Sequence, residues 1–218
     1  SSILILLVPV LILISWKGVI DKLGATFALS TCITIGLTAI GLMGYSNAIA
    51  RDRDKGVFQR LRVTPVPTWS IIFSRLMVQM VMILLVTTMV FVAGYEFDKI
   101  TLPPMGYALT YITAFIGGAL YLGLGQMIVG LLKNAETVNS TTRLVYFVFL
   151  MVGMFDDMGM LGTEFKNVVQ YSHYGSGHMI LAGSMAIERW NNQKTITLLL
   201  PIGYKVFLPF MVLHGFRW

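Results

Sequence analysis

From Ala25 to Ala50 this sequence carries no charged side chain, and from Trp69 to Gly94 it carries one, Arg75. Met105 to Leu132 again carries none. A helix needs roughly 20 apolar residues to cross a hydrocarbon layer about 30 Å thick, and one soluble core in a chain of 218 residues cannot hide several such runs. The composition agrees. Hydrophobic residues make up 56%, charged residues 12%, and mean hydropathy is +0.76, whereas soluble domains carry about 25% charged residues. The chain reads as an integral membrane protein. The formal net charge of +6 sits mostly at the ends of apolar segments, which argues against nucleic-acid binding. One cysteine, Cys32, excludes an intramolecular disulfide and any Cys-rich metal site, and no metal site is expected. No charged n-region of a cleavable signal precedes the first apolar run, and a start on Ser1 rather than Met suggests preceding residues.

The runs predict an all-α, polytopic protein with six transmembrane helices in one domain, residues 1–218. Ser1–Ser15 is the outer part of a first helix, with Trp16 and Lys17 at the interface. The second helix, about Ala25–Ala50, is rich in small residues (Gly36, Ala39, Gly41, Gly44), and should pack against protein rather than lipid. The third runs from about Trp69 to Gly94, with Arg75 able to snorkel to the headgroups. The fourth covers about Met105–Leu132 and carries Gly117, Gly118, Ala119, Gly123 and Gly125 as a second small-residue surface. The fifth starts near Thr137 and ends at Asp156-Asp157. Its early polar residues should face a protein interior or a watery cavity. Between residues 159 and 194, Glu164–Tyr171 reads as a short helix. Ser176–Ile187 is too short to span and reads as a re-entrant or interfacial helix on the extracellular side. The last helix, about Thr195–Phe216, contains Pro201, Gly203 and Pro209, which should bend it.

Arg51–Pro67, RDRDKGVFQRLRVTPVP, is the densest charge cluster, with five of the sixteen Lys/Arg and two of the ten Asp/Glu. Asp52 and Asp54 interleave with Arg51, Arg53 and Lys55, so the cluster reads as partly self-neutralising. After Gly56, the residues Val57, Phe58 and Leu61 fall on one helical face, with Gln59, Arg60 and Arg62 between them. Pro65 and Pro67 end the helix. The positive-inside rule places this stretch in the cytoplasm with Lys133, Arg143 and Arg217, giving nine cytoplasmic positives against six outside.

Arg51-Asp52-Arg53-Asp54-Lys55-Gly56, then Leu61 and Val63-Thr64-Pro65, resembles the signature of ABC-2 type transporter permeases. That signature reads R-E-R-E-x-G, a leucine and V-T-P between the second and third helices. Here both acids are Asp. Met154-Phe155-Asp156-Asp157 and Ser172-His173-Tyr174-Gly175 stand where the family often has proline. The resemblance implies the membrane subunit of an ATP-binding cassette exporter in the plasma (inner) membrane of a prokaryote. Two permease subunits, alike or different, would enclose a path, and separate ATPase subunits would bind below. Residues 51–67 would be the cytoplasmic coupling helix, with Arg51, Asp52, Arg53, Asp54, Gly56, Val57, Phe58, Arg60, Leu61, Arg62 and Pro65 as the ATPase-facing set. The chain has no G-x-x-x-x-G-K-[ST] pattern, so ATP and Mg would sit on the partner and no cofactor on this chain. An amphipathic, drug-like, lipid-like or glycan substrate would move outward.

Other residues carry weaker signals. Lys205, near the middle of the last helix, is a candidate for lining the path, against snorkelling or pairing with another helix. Asn139 and Thr142, with Ser140, either line the path or cap the fifth helix. Asp156, Asp157 and Glu164 read as solvated helix ends, and His173 and His178 as interfacial packing. No catalytic spacing is present, so the chain is not expected to be an enzyme. The rival class is a small channel or ion-coupled carrier acting without an ATPase. It should carry an acid in mid-span, and none is present.

Overall fold

A computed structural model describes residues 2–16, 18, 20, 24–57, 68–157 and 173–185. The described residues form helices and short connections, without a strand. Helix α1 spans Ser2–Ser15 and α2 spans Ala25–Thr38. Helix α2 runs without a break into a π-helical segment, Ala39–Tyr45, and then into α3, Ser46–Asp54. Helices α4 (Thr68–Asp98), α5 (Pro104–Leu131), α6 (Ala135–Asp157) and α7 (His173–Met185) follow. Three of these units are long and apolar enough to cross a membrane: Ala25–Asp54, Phe73–Asp98 and Pro104–Leu131. The described part of α1 has 14 residues, and α6 has 23 with a polar first third. The expected sixth helix, with Lys205, lies outside the described residues, as does Glu164–Tyr171.

The rod Ala25–Asp54 is the centre of the bundle. Nearly all of it from Ala28 to Leu42 is buried, as its small residues predict. Helix α4 runs antiparallel to the rod, and Gly94, Gly36 and Gly44 mark successive close approaches to Leu29, Val86 and Gln79. Helix α5 runs parallel to it. Between the π-helical segment and α5 the backbones nearly touch. A Cβ on Gly125 would lie 2.4 Å from the Gly41 carbonyl oxygen, and one on Gly41 would lie 2.6 Å from the Tyr121 Cβ. Of the five small residues expected to form a surface on α5, Gly118 and Gly125 make close contacts. Gly117 faces open space and Ala119 is exposed. Seven-residue spacing puts Gly118 and Gly125 on one helix face, which the bare count of glycines did not separate.

Lipid tails are as apolar as leucine, so such helices associate through packing and satisfied polar groups. The buried hydroxyls of Thr34, Thr38, Thr87 and Thr110 each donate to the carbonyl four residues earlier, at 2.7–2.9 Å, leaving no bare donor. Cys32 is a fully buried small core residue.

The described part of α7, 13 residues, is shorter than a span and packs against α2 and α5. Its 173–185 range overlaps the expected Ser176–Ile187 segment. His178 Nε2 lies 2.9 Å from Ser30 Oγ and 3.0 Å from Thr31 Oγ1, with its ring edge-on to Phe27. Ser184 Oγ lies 3.2 Å from Thr110 Oγ1. Gly177 approaches the Tyr121 hydroxyl. The helix thus runs from the middle of α5 toward the Thr110 end.

The Gly41–Gly125 approach can be tested directly. Gly125→Ala should lower the stability of the purified protein by about 1–3 kcal/mol, the usual cost of overpacking, because backbone stands in the way. Gly117→Ala should leave the melting temperature unchanged, since nothing lies within 4 Å of its Cβ position.

Candidate coupling junction

The rod does not stop at Ala50. Arg51–Asp54 form the last turn of α3, one turn beyond the expected boundary. No proline or glycine intervenes before Gly56, and Arg51 and Arg53 suit the negative end of the helix dipole. Lys55 N–H donates to Arg51 O and Gly56 N–H to Arg53 O, each at 3.0 Å. Gly56 has φ of +66°, the left-handed conformation that glycine adopts at little cost just past a helix end. The glycine of the signature is therefore a helix terminator that turns the chain into the stretch beyond. Val57 is partly buried. Phe58, Arg60, Leu61, Arg62 and Pro65 lie outside the described residues.

The four charges on the last turn divide into two pairs. Arg53 points inward. Its Nη1 donates to Val129 O at 3.0 Å and its Nη2 to Leu132 O at 2.7 Å. These are carbonyls at the C-terminal end of α5, which lack partners within their own helix. A planar guanidinium can bridge two of them at once. Asp52 Oδ2 meets Arg75 Nη2 at 2.5 Å, which ties α3 to the early part of α4. Arg75 is therefore Asp52's partner rather than a snorkelling residue. The expectation that Asp52 is neutralised by its sequence neighbours is corrected by this cross-helix pair. Neighbours one apart on a helix point to different faces, whereas α4 lies directly alongside. Arg51, Asp54 and Lys55 remain exposed, with Arg51 Nε donating to Asn47 O at 3.1 Å.

Two turns back toward the bundle centre, buried polar groups join the rod to α5. Tyr45 OH donates to Gln126 Oε1, and Ser46 Oγ donates to Gly125 O at 3.0 Å. All three side chains are buried. Gln126, a lone amide in a run without charge, marks this contact in the sequence, although reading the run for charge and small residues passes over it.

Helix α6 lies against α3 and the π segment. Thr142 is fully buried on the same face as Val138, and its Oγ1 donates to Asn139 O at 3.1 Å. Capping of α6 falls instead to Asn134, whose Oδ1 accepts from Glu136 N–H at 2.8 Å. Asn139 is partly buried.

The sequence model of the family described as ABC-2 family transporter protein matches residues 21–174. Over 169 residues the chain is 24% identical to a protein of Bacillus subtilis (strain 168) described as "Putative transport permease YvfS". That match covers 72% of this chain and 67% of the relative.

Removing the Arg53 bridge should loosen the end of α5. Arg53→Ala should destabilise the purified protein by about 1.5–3 kcal/mol, the range for a hydrogen bond to a charged group. It should also speed protease cleavage at Leu132–Asn134. Arg53→Lys should recover only part of the loss, because an ammonium lacks the planar fork.

Proposed function

Since the chain belongs to the ABC-2 family of transporter proteins, we propose that it is the transmembrane permease subunit of an ATP-binding cassette exporter in a prokaryotic inner membrane. It would pair with a second permease subunit, and separate ATPase subunits would carry ATP and Mg. An amphipathic, drug-like, lipid-like or glycan substrate would leave the cell through the pair. The description of the Bacillus subtilis relative as a transport permease supports this reading.

The observation that carries it is the junction. The stretch after Gly56 returns to the bundle at α4, and the Asp52–Arg75 ion pair clasps its two ends together. Arg53 fixes the near end to α5 as well. A part gripped from outside moves helices only if it is not free to flex at its roots. Here a push on residues 57–67 would be delivered to α3, α4 and α5 together. Val57, Phe58 and Leu61 would supply the apolar contact with the ATPase. Arg51, Asp54 and Lys55, with Arg60 and Arg62, would meet acidic or basic groups on its surface. An ion-coupled carrier would need an acid in mid-span, which the sequence lacks.

Two sets of variants test this. Phe58→Asp combined with Leu61→Asp should leave membrane insertion intact, release the ATPase during co-purification, and abolish ATP-driven flux into inverted vesicles. Flux at the unaltered rate would overturn the proposal. Asp52→Arg should leave the ATPase bound yet lower flux per ATP hydrolysed. Adding Arg75→Asp, which restores the pair with reversed sign, should recover most of that ratio.

A further inference from the structure

On the outer surface of the bundle, α1 and α4 run side by side and leave a groove of about 340 Å³ between them. Leu7 and Val10 form one wall, and Leu85, Met89 and Val92 form the other. The Thr88 hydroxyl on this wall is already occupied, donating to Leu84 O at 2.9 Å and lying 2.8 Å from the Tyr111 hydroxyl. The lining is thus effectively hydrocarbon along its whole length, and only at one end does it meet a charge, Glu96.

Length and depth narrow the occupant. From Leu85 to Phe97 the groove follows α4 for twelve residue-to-residue steps, about 18 Å at 1.5 Å per step. One leaflet contributes about 15 Å of the hydrocarbon core. Leu85 lies near the middle of the 31-residue α4, and Phe97 lies next to its end. The groove therefore reaches from mid-helix to the water boundary, the depth of one leaflet, and is one extended chain long.

The boundary end carries unbalanced negative charge. Glu96 is exposed and has no ion-pair partner among the described residues. Asp98, two residues on, has a buried Oδ2 without a hydrogen-bond partner. Lys99 is the nearest cation in the sequence. Its left-handed backbone conformation (φ 51°) goes with an ammonium 5.4 Å from the Tyr95 ring centroid. An incoming cation at headgroup depth would meet a free carboxylate.

We propose that this groove is a binding site for one acyl chain of an amine-bearing phospholipid, with the headgroup ammonium paired to Glu96. The site depends on the α1–α4 surface and not on the coupling junction. ATPase co-purification therefore reports on the permease reading separately.

The test uses the whole protein in vesicles of equal parts phosphatidylethanolamine and phosphatidylglycerol, with a photoreactive group on the acyl chain of one lipid or the other. Labelling should map to Leu85–Phe97 and favour phosphatidylethanolamine by roughly two- to fivefold, the span of an exposed ion pair. Glu96→Gln should bring the two lipids to parity, and Glu96→Lys should favour phosphatidylglycerol. Val92→Trp should block labelling by either lipid, while Ile112→Trp, on the exposed face of α5, should not. Equal labelling of the two lipids by the unaltered protein overturns the proposal. So does labelling spread evenly over the Ile112 face, or a preference unmoved by Glu96→Lys. The Glu96 variants lie at an exposed boundary, so they remain informative if Val92→Trp fails to fold.

Discussion

The contact on which the other arrangements rest is the approach of two backbones where Gly41 meets Tyr121 and Gly125. Water cannot drive helices together inside hydrocarbon, so the strength of such a bundle comes from dispersion over a close fit and from polar groups that find one another. The absence of a side chain at Gly125 allows both. It lets the rod come close enough for Ser46 to bond the Gly125 carbonyl and for Tyr45 to reach Gln126. Those bonds fix how far one helix can slide along the other. Two turns further on, at the same register, Arg53 arrives at the last carbonyls of α5. A shift of one turn, about 5.4 Å, would leave the guanidinium and the carbonyls without each other.

This register explains why the signature charges do not form one class. Arg53 and Asp52 belong to the architecture, one closing the end of α5 and the other holding α4. Arg51, Asp54 and Lys55 point away. Gly56 belongs to neither group and ends the helix with a left-handed backbone. A motif that looks uniform in one dimension thus combines a tie, a clasp, a turn and a solvent-facing set. The helix period of 3.6 residues assigns them, since neighbours in sequence are about 100° apart around the axis.

Much of this was legible in the residues alone. Runs with at most one charge located the rod, α4 and α5 to within a few residues, because the cost of burying charge in a bilayer is large and local. The small residues of the rod announced that it faces protein. The signature announced the family. What stayed hidden depends on a third element. Arg75 reads as a snorkelling residue until Asp52 is seen across from it. Gly117 and Gly118 are indistinguishable until α4 supplies Ile83 on one side only. The π-helical turn from Ala39 to Tyr45 leaves no mark in hydropathy. Its extra backbone width bears on the helices packed against it, α5 most of all, and single turns of this kind are frequent at functional sites. His178 looks like a lone histidine until Ser30 and Thr31 face it.

These polar contacts lie at opposite ends of one continuous helix. Near its beginning the rod holds α7 through Ser30 and Thr31, and at its far end it holds α5 and α4 through Arg53 and Asp52. Thirty residues of helix separate the ends of this unit, about 45 Å. A helix bends most readily where its hydrogen-bond ladder is irregular, and here the irregular turn is clamped on α5 at Gly41, Tyr45 and Ser46. On the permease reading, a displacement entering at Gly56 has little chance to dissipate by bending. It would be carried as a tilt or rotation of the whole rod, so α7 would follow or lose its bonds to Ser30 and Thr31. On that reading the short helix would be the element whose position the junction commands, although its described contacts lie at the end of the rod opposite Arg53 and Asp52.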